Sequence, residues 1–189
     1  MRLVPELVTG PTADPITLSE AKKQLEIGIS DTTHDTHLAG LIQAAREQWE
    51  HDTDSATCFA TYKIRLAQWT DGVELPKSPI YSITSIQYYD GANTLQTYPA
   101  NQYQLHVDRV RLAYLQVLPG TIARWDAWTI TYKVGYSEDG SKVPAIAKNA
   151  MLMLVAYYFE NRDMLMSESM QTMKPYEALV LRYMRSSYP

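Results

Sequence analysis

Apolar residues recur every three or four positions near both ends of the chain and every second position through its middle. That change of period sets the architecture. Leu18, Ala21, Leu25 and Ile29 share one helical face, behind Thr17 and with Glu20 three residues further on. This is the capping-box spacing, in which each side chain satisfies the other's backbone N–H, and it predicts a short helix ending near Gly28. After the polar break Ser30-Asp31-Thr32-Thr33, the period predicts a longer helix from His34 to Asp54. Leu38, Leu41, Ile42, Ala45 and Trp49 lie on its inner face and Gln43, Arg46, Glu47 and Glu50 on its outer one.

From Thr57 the period drops to two. Cys58, Ala60, Tyr62, Ile64 and Leu66 alternate with Phe59, Thr61, Lys63, Arg65 and Ala67, the pattern of a half-buried strand. Ile83–Tyr89 reads as a strand that turns at Asp90-Gly91 and returns through Leu95–Tyr98. Tyr103, Leu105 and Val107 alternate up to a turn near Asp108-Arg109, with Val110 and Leu112 on the return, and Trp128, Ile130 and Tyr132 make the last strand. No helical period interrupts this stretch, so it is read as one antiparallel β unit and not a βαβ array.

Pro144 then opens a third helix, placed at the first helical position, where a missing N–H costs nothing. Ile146, Ala147, Ala150, Met151, Leu154, Val155, Tyr158 and Phe159 make it apolar around much of its circumference, which predicts a central position. Residues 161–172 are Met-rich and broken, and a last short helix carries the stripe Tyr176, Leu179, Val180, Tyr183 and Met184 before Tyr188. Residues 1–15 are expected to form an extended arm. The fold class is α+β: one domain, residues 1–189, with three to four helices in residues 16–56 and 144–189 and an antiparallel insert, residues 57–135, between the second and third helices. Leu41, Ile42, Trp49, Leu154 and Tyr158 are the expected helical core.

Composition narrows the function. The chain is 46% hydrophobic and 20% charged, the balance of a folded domain. Fourteen Tyr and four Trp against two Phe fit either strands or surfaces buried on assembly. A formal charge of −4 with no basic run argues against a general grip on nucleic acid. Cys58 is the only cysteine, so neither an intrachain disulfide nor a cysteine zinc site is expected, and its expected role is a small buried hydrophobe. The start lacks a signal-peptide pattern, and the apolar run Ala150–Phe159 falls short of the roughly 20 residues that span a bilayer, so a protein of the cytoplasm with no membrane partner is expected.

Candidate chemistry is sparse. His34 and His37, three apart, with Asp35 and His51 nearby, have a spacing that can hold a metal, but nothing completes the ligand set. Glu160 and Asp163 beside Arg162 form an acid/base pair on paper and an ion pair more simply. Arg109, Arg111 and Arg124 with Trp125 are the best basic and aromatic cluster, also read as a strand face with cross-strand ion pairs. No phosphate loop, nucleophile elbow or Cys/His pair is present. No catalytic residue, metal or cofactor is expected.

Several segments, in order, resemble the head–tail connector family of long-tailed phages and gene transfer agents. They are Pro15–Lys22, Leu38–Arg46, Leu75–Ile86 with its flanking prolines, Val134-Gly135-Tyr136 before Val143-Pro144-Ala145-Ile146, and Leu154–Arg162. The resemblance implies a structural virion protein of the neck, a helical adaptor forming a dodecameric ring beneath the portal. Such a ring extends the DNA channel, lets double-stranded DNA pass without specific binding, and presents its far side to a stopper or tail-completion protein. The alternative is a stopper or tail-terminator neck protein, whose usual character is a β barrel without flanking helices. The stripe Tyr176, Leu179, Tyr183, Met184 and Tyr188 is the candidate portal-docking surface.

Overall fold

A computed structural model describes residues 3–70, 72–114, 116–161 and 174–187. The chain divides into two compact units, each drawn from two stretches of sequence. One holds residues 1–11 and 59–136, the other residues 12–58 and 137–189. Element order is helices, strands, helices, an α+β arrangement.

The helical unit contains α1 (Leu18–Gln24), α2 (Asp35–Asp52), α3 (Ala145–Glu160) and α4 (Lys174–Ser187). Thr17 caps α1 as its spacing predicts: its hydroxyl accepts from the Glu20 N–H at 3.2 Å, and the Glu20 carboxylate accepts from the Thr17 N–H at 2.7 Å. The helix stops at Gln24, earlier than Gly28, because Glu26 turns left-handed at φ 57°. Ile29 therefore leaves the predicted face and is exposed. Buried Lys22 holds this turn, its ammonium donating to the carbonyls of Ile29 (3.2 Å) and Asp31 (2.7 Å) and pairing with Asp35. Leu38, Ile42, Ala45 and Trp49 of α2 are buried together with Ala147, Ala150, Met151, Leu154 and Val155 of α3. Leu41 and Tyr158 are half-buried. Pro144 lies one residue before α3, as its N-cap with extended backbone at ψ 140°, and its carbonyl accepts from the N–H groups of Ala147 and Lys148.

The β unit contains two antiparallel sheets. The larger runs in the order β1-β2-β8-β4-β5, formed by Glu6–Thr9, Ala60–Leu66, Trp128–Val134, Ile80–Tyr89 and Leu95–Thr97; the smaller runs β3-β7-β6, formed by Val73–Glu74, Arg109–Leu112 and Tyr103–His106. Register sets the faces. Ile64 and Ile86 both stand opposite Ile130, and Leu66 and Tyr88 both stand opposite Trp128, so these side chains share one face, buried at its centre and half-buried at Tyr88. Trp128 stacks on Tyr88 (5.1 Å) and meets Trp69 (5.1 Å) and Tyr98 (5.6 Å) edge-on, an aromatic core worth more than its area alone. The expected arm contributes β1, whose Glu6 pairs with both Lys63 and Arg65 of β2. The strand expected from Cys58 begins at Ala60; Cys58 itself makes a single bridge to Ser137 within the helical unit, where burial pushes its thiol up to about 11.

Candidate docking site

The C-terminal stripe divides between two faces of α4. Tyr176 and Tyr183 point inward and are buried, their rings 6.2 and 5.1 Å from that of Trp49, itself fully buried. Leu179 is half-buried, while Met184 and Leu181 are exposed. Tyr188 lies outside the described residues. The inward face is fixed by a polar link: the Tyr176 hydroxyl donates to Asp52 Oδ2 at 2.7 Å, and the Gln48 amide donates to the same carboxylate at 2.9 Å. Between α2 and α4 runs a groove of about 450 Å³, walled by Leu154, Val180 and Leu181 and carrying the carboxylates of Asp52 and Glu177.

Burial, and then the Asp52 hydrogen bond, hold the Tyr176 phenol well above its ordinary value. Protonated Tyr176 is thus the form the folded chain favours. Its contribution is fully present below the unfolded phenol value of about 10 and is lost as pH rises through the folded one. Tyr176→Phe should cost about 2 kcal/mol, the scale of a hydrogen bond to a charged acceptor. It should also shrink the alkaline loss of stability, measured as the wild-type-minus-variant difference in urea unfolding at neutral and strongly alkaline pH.

The other candidate chemistry takes packing roles. His34 and His37 set their rings against Phe159, at 5.6 and 6.1 Å, and among the described residues no three His, Cys, Asp or Glu side chains cluster as metal ligands. Arg109 pairs across strands with Glu74 at 3.2 Å; Arg124 binds Asp126 and stacks on Tyr89 at 3.7 Å. Arg162 and Asp163 lie outside the described residues. No described helix is long and apolar enough to cross a membrane.

A surface the sequence reading passed over lies on the outer face of the larger sheet. Lys133 Nζ sits 4.0 Å from the centre of the Phe59 ring, and the Tyr81 ring lies 4.5 Å from that of Phe59. Arg65 reaches over Trp125 at 5.7 Å. Tyr81 is 60% and Trp125 70% exposed, unusual for rings with no covering element. The signal was the second half of the alternation: Phe59, Thr61, Lys63 and Arg65 are the outward set of the strand whose inward set was read.

The elements define an α+β fold, and this fold is shared with chains from gene transfer agent particles and their necks. A chain of the "Neck of empty GTA particle computed with C6 symmetry" matches at a TM-score of 0.77 and 22% identity, over 95% of this chain and 94% of that one. A chain of the "Virion of native gene transfer agent (GTA) particle" matches at 0.75 and 22% over the same shares, and one of the "Neck of native GTA particle computed with C12 symmetry" at 0.66 and 22% over 97% and 94%. At that identity the likeness is one of fold. Residues 15–98, which span α1, α2 and the β2-to-β5 stretch, match the family described as "Phage gp6-like head-tail connector protein". No curated protein matches the chain.

Proposed function

We propose that this chain is a structural head–tail connector of a virion neck, assembling as a ring of twelve beneath the portal. The ring extends the DNA channel and offers its far side to a stopper or tail-completion protein. The match of residues 15–98 to head–tail connectors carries this reading. The negative formal charge and the ion-paired arginines support a wall that double-stranded DNA passes without specific binding. In this reading the helical unit is the adaptor domain and the strands between α2 and α3 are its insert. No catalytic group or cofactor takes part.

The C-terminal end of α4 is the portal-docking element in this proposal, through Met184 and the following Tyr188, while Tyr176 and Tyr183 anchor the helix on Trp49 and half-buried Leu179 lies on the side of Ile146 and Asn149 of α3. Removing α4 outright would strip Trp49 of both rings, so the test is a point change. Met184→Asp should weaken portal binding about tenfold or more, the scale of an interface anchor, with an unchanged melting temperature. The decisive experiment is electron microscopy of the purified protein, alone and mixed with the portal encoded in the same genome. A ring added beneath the portal is the expected result. Binding to tail-tube assemblies and not to portal moves the chain to the tail-terminator class.

A further inference from the structure

The two units carry opposite charge. The β unit holds eight Lys and Arg against six Asp and Glu; the helical unit holds nine against fifteen. On the outer sheet face the carboxylates are used within the face: Glu6 serves Lys63 and Arg65, and Asp126 serves Arg124. Lys133 stands apart from these pairs, over Phe59 and beside Tyr81, an ammonium framed by two rings of which one is 60% exposed. The groove between α2 and α4 is the converse, apolar walls with the carboxylates of Asp52 and Glu177. Asp52 already accepts from Tyr176 and Gln48; Glu177 is exposed at the start of α4.

We propose that the outer sheet face of one copy, centred on Lys133, Phe59 and Tyr81, docks into the α2–α4 groove of a second copy, with Lys133 set against Glu177. This rests on the ring reading above and names the junction that would close the ring. Because the two surfaces differ, the contact is head-to-tail, and repetition of one such contact generates a ring when the rotation closes. Exposed Tyr81, with Trp125 and Arg65 on the same face, belongs to the residue types that dominate binding energy at interfaces, and Lys133 adds the charge that sets the register. A nucleic-acid partner fits the sheet face less well, because most of its cations are already paired with carboxylates of the same face. Within α4, the neighbour takes the Glu177 and Leu181 end and the portal takes the Met184 end.

The test is charge exchange in the full chain, with portal present and copies per portal counted by native mass spectrometry and electron microscopy. Lys133→Glu and Glu177→Lys, each alone, should bind portal without closing a ring while melting as the wild type does. Mixed in equal amounts they should close it, because each altered sheet face then meets an oppositely altered groove, and the double variant K133E/E177K should close it unaided. Tyr81→Ser should lower copy number in the same assay. Complete rings from K133E alone overturn the proposal, as does failure of both the mixture and the double variant to restore them. Rings unaffected by K133E, with loss of binding to a 30-base-pair DNA probe (a length of about three helical turns), overturn it in favour of a nucleic-acid face. If wild-type chain adds no ring to the portal, the connector reading itself falls.

Discussion

Trp49→Ala is expected to lower the unfolding free energy by about 4 kcal/mol, the largest loss of any single truncation in the helical unit. The indole is fully buried on α2, touching the rings of Tyr176 and Tyr183 of α4. Truncation removes its own burial and leaves a cavity that two tyrosine rings anchored at the hydroxyl of Tyr176 cannot collapse into. Since total stability of a domain is about 5–15 kcal/mol, the variant should be marginal near body temperature. Trp49→Phe separates volume from polarity. Among the described residues the buried indole N–H has no hydrogen-bond acceptor, so Phe loses part of the volume but sheds a desolvated donor, and should cost well under half as much. Urea unfolding followed by circular dichroism measures both; equal losses for Ala and Phe would sink the cavity account.

Gly140→Ala is the second large effect, for a backbone reason. Gly140 sits at φ +72°, and a Cβ there would stand 2.5 Å from Pro15 Cα, with the Asp14 carbonyl oxygen at 3.3 Å. Neither obstacle is a flexible side-chain end. The left-handed conformation alone costs a non-glycine residue about 1 kcal/mol or more, and displacing the Asp14–Pro15 backbone raises the total to about 3 kcal/mol. That displacement also pulls on Asp14, whose carboxylate accepts from Arg46 of α2 at 2.8 Å. Gly40 is the internal control. It lies inside α2 with open space around its would-be Cβ, so Gly40→Ala should stabilise by about 0.5–1 kcal/mol through helix propensity. Opposite signs in melting temperature for the two substitutions are the expected outcome; a tolerated Gly140→Ala would mean the Pro15 segment gives way freely.

The elements that could be read from the sequence are those whose period is enforced by one buried face. In α2 the spacing from Leu38 to Trp49 is the packing itself, and in β2 and β8 the inward residues Ile64, Ile130 and Tyr132 alternate because the sheet buries one side. Three strands lacked that signature, and of these β5, exposed at all three positions, was legible only through the Asp90-Gly91 turn before it. β1 is exposed at all four positions and is held by backbone pairing and Glu6, and β3 is two residues long. The buried Lys22 was invisible because its burial depends on carbonyls of a loop seven and nine residues away. At the candidate docking site the aromatic stripe of α4 was legible as a stripe, but not which side faced in. That is decided by Trp49 and Asp52, more than a hundred positions earlier in the chain.

The position of β8 governs when the protein can fold during its own synthesis. This strand lies third of five in the larger sheet, between β2 and β4, so Ala60–Leu66 and Ile80–Tyr89 have no shared partner until residues 128–134 have been made. The helical unit waits too, because its two halves are separated by the whole β stretch. A nascent chain therefore carries α2, with Leu38, Ile42 and Trp49 uncovered, through most of translation, the condition under which apolar surface invites aggregation. Ribosome-bound chains cut short before Trp128 should remain protease-sensitive throughout, and those extended past Val134 should acquire a protected β unit in one cooperative step, late because its pairings are distant in sequence.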